Sequence, residues 1–274
     1  LKYYLETNAL RALGGRIEEN KELKSQSYTS LFSIFELIKG IDKRSDSQKR
    51  KDILSTLIES DLNLISTMPF EMMRNAFIDG ESGEQSNTVI KQLRYLITNE
   101  TSDADSYKDL VKNYEFDTLD FQAKSNQRYV RPKPEPEYIK LDLETMFSDS
   151  KPDIPLGVES LPKDAHPSRI AMEFHKLELA PEIFRMFFND EGISNEDILN
   201  YYNDRLNLFF FASHLYELKK NCLRENAAKN DFLDILHTVY LFRYDSIMVS
   251  NDKIFESILP NINIISVEDY KKLI

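Results

Sequence analysis

The chain has 274 residues, long enough for one large domain or two modest ones, and its apolar share of 41% suffices for a packed core. It carries 35 Lys and Arg against 46 Asp and Glu, a formal net charge of −11. That balance argues against a broad face for phosphate or anionic membrane, although a small basic groove stays open. The single cysteine, Cys222, rules out an intrachain disulfide and a cysteine-rich zinc site, and a reducing cytoplasm is the compartment expected. The longest apolar run, Leu208 to Ala212, is far too short to span a bilayer, and the opening residues carry no secretory pattern.

Lys2 to Leu5 reads as a buried strand ending at Glu6. A helix is expected from Asn8 to Leu13, stopped by Gly14-Gly15. Tyr28-Thr29 reads as a second strand. Ser30 or Ser33 then caps an apolar helix, Leu31 to Ile38, that Gly40 ends. Lys49 to Ser60 is helical, with Ile53, Leu54, Leu57 and Ile58 on one face. Leu62 to Met68 alternates like a third strand that Pro69 closes, and Phe70 to Ile78 reads as a helix.

Residues 80–227 change character. Lys91 to Thr98, Ser168 to Asn189 and Asn195 to Asn226 have helical periodicity, and no convincing strand pattern interrupts them. Seven of the ten prolines lie between Pro132 and Pro167, so about 130–168 reads as an extended, exposed arm. The α/β rhythm then resumes. A helix is expected from Asp231 to Tyr244, a strand from Ser246 to Val249, a helix from Asp252 to Ile258 and a last strand from Ile262 to Val267. Strands alternating with helices at both ends predict a parallel sheet within residues 1–79 plus 228–274, interrupted by a mainly α-helical insertion.

Four acids sit where such a sheet would gather them. Glu6 and Asp252 follow strands, whose carboxyl ends are the usual ligand edge of an open parallel sheet. Glu36 and Asp234 lie on helices that could pack across that edge. Carboxylates brought close together repel, so some must protonate or a cation must bind, and oxygen-only ligands suit Mg²⁺ or Mn²⁺. Such an ion, or two about 4 Å apart, could activate a water and neutralise the leaving oxygen of a phosphodiester. Each acid also has a plainer role open to it. Glu36 stands at capping-box spacing from Ser33, Asp231 and Asp234 favour the positive end of their helix, and Asp252 could cap the next one.

Glu6-Thr7-Asn8 after an opening strand resembles the Asp-Thr-Asn start of PIN-domain nucleases. Ser33 to Gly40 resembles their glutamate-bearing helix, Asp234 to His237 their third-acid motif, and Val249 to Phe255 the fourth, in which a strand ends in Thr or Ser, any residue, then Asp. The segment Ile262 to Asp269 looks like the family's final strand and acidic turn. The resemblance implies a Rossmann-like three-layer α/β/α sandwich around a short parallel sheet. It also implies metal-dependent cleavage of RNA, usually single-stranded, as in antitoxin-paired toxins or RNA processing, with DNA a possible substrate. Glu6, Glu36, Asp234 and Asp252 would then hold Mg²⁺ or Mn²⁺ and form the catalytic set. Asn8 would orient Glu6, Ser250 would support the site from behind, and Asp231 could substitute for Asp234. The chain departs from the pattern in having Glu6 where the family has Asp, and in the length of the insertion. A catalytically weakened binding module, or an interaction protein controlled by an antitoxin or another protein regulator, is therefore the alternative. A dimer is compatible with either.

Lys124, Arg128, Tyr129 and Arg131 mix charge with an aromatic ring, as a single-stranded RNA groove would, or form a solvated loop. Lys43-Arg44 and Lys49-Arg50-Lys51 are further basic clusters. The four histidines have no metal-ligand spacing. His237, on a largely apolar helix face, reads as a packing residue.

Overall fold

The computed structural model describes residues 1–14, 16, 20–41, 46–60, 62–78, 84–99, 105–110, 112, 167–190, 192–223, 228, 230–242 and 245–273. Residues 130–166 of the expected arm, the residues Lys124, Arg128, Tyr129 and Arg131, and the Lys43-Arg44 pair lie outside the described residues, while Pro167 and Ser168, at the arm's expected end, are helical.

Five strands form one all-parallel sheet: β1 (Lys2–Leu5), β2 (Ser27–Ser30), β3 (Asn63–Ile65), β4 (Ser246–Val249) and β5 (Ile264–Ile265). Their order is β3-β2-β1-β4-β5, so the first strand is central and the chain reverses direction across it. A switch of this kind opens a crevice at the carboxyl ends of the middle strands. Tyr4 lies opposite both Tyr28 and Met248, and Leu5 lies opposite Val249. This register brings Glu6 and Ser250 out side by side.

The helices beside the sheet follow from local signals. α1 (Thr7–Leu13) ends at Gly14, whose φ of 55° is cheap only for glycine. α2 (Lys21–Gln26) is capped by Asn20. α3 (Leu31–Lys39) is capped by the Ser30 hydroxyl, which accepts from the Ser33 amide, so Ser33 and Glu36 do not form a capping box. α4 (Ser47–Glu59) buries Arg50, which donates to the carbonyls of Glu36 and Leu37 and to Asp46. Arg50 therefore closes the last turn of α3 and is no part of a basic surface. A Cβ at Gly40 would collide with its guanidinium and push Arg50 off these bonds.

Several boundaries differ from the sequence expectation, and the helix expected from Asn195 to Asn226 is broken at 202–206. Pro69 begins α5 (Pro69–Asn75) at its first turn, where its missing N–H costs nothing, and β3 is correspondingly short. The helix expected from Asp231 to Tyr244 is α-helical only over Asp231–Leu236, then tightens to a 3₁₀ turn, His237–Tyr240. There the Thr238 hydroxyl donates to the Ile235 carbonyl at 2.7 Å, competing with the helical ladder. The strand expected from Ile262 to Val267 keeps only Ile264–Ile265: a 3₁₀ turn, Asn261–Asn263, takes its start, and past it Ser266 and Asp269 bond reciprocally and begin a short helix, Val267–Lys271.

The middle of the chain is helical wherever it is described: α6 (Glu84–Thr98), α7 (Pro167–Phe188), α8 (Asn195–Tyr201) and α9 (Asn207–Leu223). Numbering continues with α10 (Asp231–Leu236) and α11 (Lys253–Ile258). α9 packs on α7 and also on α10, α11 and the 3₁₀ turn, and α7 reaches α5. Phe209, Phe210 and Phe211 are buried in this junction, and one apolar core runs from the sheet into these helices. Among the described residues no helix is long and apolar enough to cross a membrane.

Candidate functional site

Four of the sequence's acids gather at the carboxyl edge of β1 and β4, though not on equal terms. Glu6 follows β1 and is 2% exposed. Its longer side chain folds back onto its own helix: Oε2 accepts from the Asn8 amide at 2.6 Å and Oε1 from the Ala9 amide at 3.0 Å. The Ser250 hydroxyl lies near enough to lower the Glu6 carboxyl. Glu6 is thus the N-cap of α1. Burial pushes its carboxyl up, with Glu36 acting the same way, and these outweigh the lowering by His237, the Asn8 amide and Ser250. The Asn8 side chain is exposed, so its contribution to Glu6 comes from the backbone N–H.

Glu36 projects from α3 with its side chain 21% exposed. Oε2 accepts from the Thr7 hydroxyl and from His237 Nε2, the latter at 2.9 Å, while Oε1 accepts no hydrogen bond among the described residues. Burial would raise this carboxyl, but His237, Thr7 and Lys39 prevail and hold it below the usual range. Asp234, on α10, is half-buried and accepts no side-chain hydrogen bond among the described residues. Burial pushes it up to about 7, reinforced by the charges of Glu36, Asp252 and Asp231 and opposed by His237. Asp252 caps α11, with Oδ1 accepting from the Ile254 amide at 3.0 Å. Its own amide donates to Ser250 Oγ at 2.9 Å, so the buried Ser250 braces the backbone of Asp252.

Asp231 cannot stand in for Asp234 in this arrangement. Its Oδ2 accepts from the Tyr216 hydroxyl and the Ala228 amide and lies 3.5 Å from Lys220 Nζ. It ties α10 to α9. The expectation that four acids close on one point also needs correction. Among the described residues, no group of three or more His, Cys, Asp or Glu side chains is placed to hold a metal ion. The physical reason lies in the bonds above: Glu6 is turned back onto α1, and one oxygen of Glu36 is already shared by two donors. What remains at this edge is a set of carboxylate oxygens free of hydrogen bonds. Glu36 Oε1, both oxygens of Asp234 and Asp252 Oδ2 accept no bond among the described residues. Mg²⁺ is commonly held by one or two carboxylates and keeps several waters.

Sequence reasoning missed His237. It is 1% exposed, sits 4.7 Å from the Phe32 ring between centroids, and bonds Tyr4 Oη through Nδ1 at 2.7 Å. Tyr4 Oη is also 2.8 Å from Ser30 Oγ and 3.2 Å from Ser33 Oγ. Burial would lower the imidazole pKa, but Glu36, Glu6 and Asp234 raise it overall. The available signal was its place one turn after Asp234, which puts residues three apart on one helix face. A cavity of about 320 Å³ opens elsewhere, between Asn207, Phe242 and Asp245 at the amino end of β4.

Comparison with protein-family models, with curated proteins and with solved structures finds no match for this chain.

Proposed function

We propose that this chain is a PIN-like, metal-dependent endonuclease that hydrolyses phosphodiester bonds, with single-stranded RNA as the substrate class and Mg²⁺ or Mn²⁺ as the cofactor. The observation that carries the reading is Asp234. It is a half-buried carboxylate that accepts no hydrogen bond among the described residues, faces the charges of Glu36 and Asp252, and lies at the ligand edge of a β3-β2-β1-β4-β5 parallel sheet. The motif order Glu6, Glu36, Asp234, Asp252 supports the family assignment.

When bound, such an ion supplies Lewis acidity at a phosphoryl oxygen and lowers the pKa of a water. The chain's own residues supply the rest. Glu36, Asp234 and Asp252 offer anionic oxygens. Asp234 can hold a proton while the ion is away and release it on binding. The amides of Asn8 and Ala9 fix the Glu6 end, and Ser250 holds the backbone of Asp252. An antitoxin-like regulator and a cytoplasmic setting belong to the same proposal.

A second reading is favoured by the bonds on Glu6. Both its oxygens serve the α1 cap, as expected of a catalytically weakened module that binds nucleic acid or a protein partner without cutting. Labelled RNA and DNA pools incubated with Mn²⁺, with and without chelator, separate the two. The nuclease reading predicts RNA fragments that chelator abolishes. Intact RNA at all Mn²⁺ concentrations contradicts it and favours the second.

A further inference from the structure

We propose that His237 is a positioning residue: anchored on Nδ1 by the Tyr4 hydroxyl, it donates from Nε2 to Glu36 and holds that carboxylate so that its other oxygen is free for an ion. This rests on reading the acid edge as a metal site, and adds a residue outside the four acids.

The chain of contacts is continuous and internal. Tyr4 is fully buried on the central strand, and its hydroxyl is within bonding distance of Ser30, Ser33 and His237. His237 lies across the edge from α3, where Phe32, Tyr4 and Phe255 surround its ring with centroids 4.7, 5.9 and 6.4 Å away. The ring is enclosed, with one nitrogen on Tyr4 and the other on Glu36. Chemistry then assigns the donors. An ionised carboxylate only accepts, so the proton on the 2.9 Å Glu36 contact belongs to Nε2. In the neutral ring Nδ1 accepts from the Tyr4 hydroxyl, and in the protonated ring Nδ1–H donates to the Tyr4 oxygen, so the anchor holds in both forms.

On the other side, the Thr7 hydroxyl donates to the same Glu36 oxygen. Two donors on Oε2 fix the plane of the carboxyl group and leave Oε1 open. Hydrogen-bond partners of this kind orient metal-binding carboxylates, and losing one typically costs about 10–100-fold in metal affinity or activity. The 3₁₀ turn is the local device. Tightening the helix after Leu236 sets His237 at its start, where the side chain is buried and bonded across to β1 and α3.

Three variants test this, each first checked for native circular dichroism. His237→Leu removes the donor and keeps apolar bulk. His237→Gln keeps an N–H near the position of Nε2. Tyr4→Phe removes only the hydroxyl. The first readout is metal-free: crystal structures of the parent and His237→Leu, comparing the Glu36 carboxyl group. The second is Mn²⁺ binding by calorimetry. The proposal expects Glu36 to leave its place in His237→Leu and stay in His237→Gln. It expects Mn²⁺ affinity to fall about 10–100-fold in His237→Leu, to recover within about threefold of the parent in His237→Gln, and to fall by an intermediate factor in Tyr4→Phe. Adding Tyr4→Phe to His237→Leu should lower affinity no further, because the hydroxyl acts through the ring. An unmoved Glu36 carboxyl group in His237→Leu overturns the proposal, whatever the metal does. A parent that binds no Mn²⁺, together with a Glu36 that moves in His237→Leu, overturns the metal reading and leaves the positioning role standing. If His237→Leu does not fold, the Tyr4→Phe and His237→Gln structures decide. A Glu36 carboxyl that keeps its place in Tyr4→Phe, or that leaves it in His237→Gln, overturns the proposal.

Discussion

Asp234→Asn is expected to lower metal-dependent cleavage on the order of a hundredfold while making the metal-free protein more stable at neutral pH. The two effects have one cause. Burial pushes the Asp234 carboxyl up to about 7 in the folded chain, against an ordinary value near 3.8. Between those values the folded state keeps a proton that the unfolded state has lost. Stability therefore falls as pH rises from about 4 to 7, and the loss is complete above 7. Asparagine has no charge to desolvate. Because Asp234 is only half-buried, solvent screening limits the gain to about 1–2 kcal/mol, a few degrees in melting temperature for a chain of this size. Thermal melts at pH 5 and 8 without metal check this, with the variant and parent nearer at pH 5 than at pH 8. The same proton must leave before an ion is bound, so Mn²⁺ affinity of the parent should rise about tenfold per pH unit below 7 and flatten above it. Equal melting temperatures for variant and parent at both pH values would remove Asp234 from the account.

Glu6 gives the second large effect. Glu6→Ala should lower metal-dependent cleavage about 10–100-fold, because losing the cap loosens the first turn of α1 and with it the Thr7 hydroxyl that holds Glu36, and should cost about 1 kcal/mol of stability. Glu6→Asp keeps the cap, since aspartate is a favoured residue there, and shortens the acid by one methylene. Its cleavage rate should equal or exceed the parent's. The comparison is made on single-stranded RNA in Mn²⁺, with Asp252→Asn as a control that keeps shape while removing charge. If Glu6→Ala cleaves as fast as the parent, above a chelated blank, Glu6 is a cap and nothing more.

Much of the frame was legible because local signals and the global fold agree. The apolar run ending at Glu6, the Ser30 cap, Gly14, and the strand stopping before Asn251-Asp252 all stand where the periodicity put them. The misplaced boundaries arose where a single side chain outvoted the pattern. Thr238 drew the helix after Asp231 into a 3₁₀ turn, and the Ser266–Asp269 pair stopped the last strand at Ile265 and began a helix. At the site, sequence could place acids at an edge but could not show how their lone pairs are already used. Glu6 looked like a free ligand and is a cap. Asp231 looked like a spare ligand and is bonded to Tyr216, Ala228 and Lys220. His237 looked like packing and joins Tyr4 to Glu36, partners 233 and 201 residues away in the chain.

The most direct test of the central claim is anomalous diffraction from a crystal of the unmodified protein grown with Mn²⁺. The account predicts an anomalous peak at the carboxyl edge of β1 and β4, within bonding reach of oxygens from at least two of Glu36, Asp234 and Asp252, with water completing the shell. An acid edge with no peak at saturating Mn²⁺, or peaks confined to carboxylates elsewhere on the surface, would contradict it.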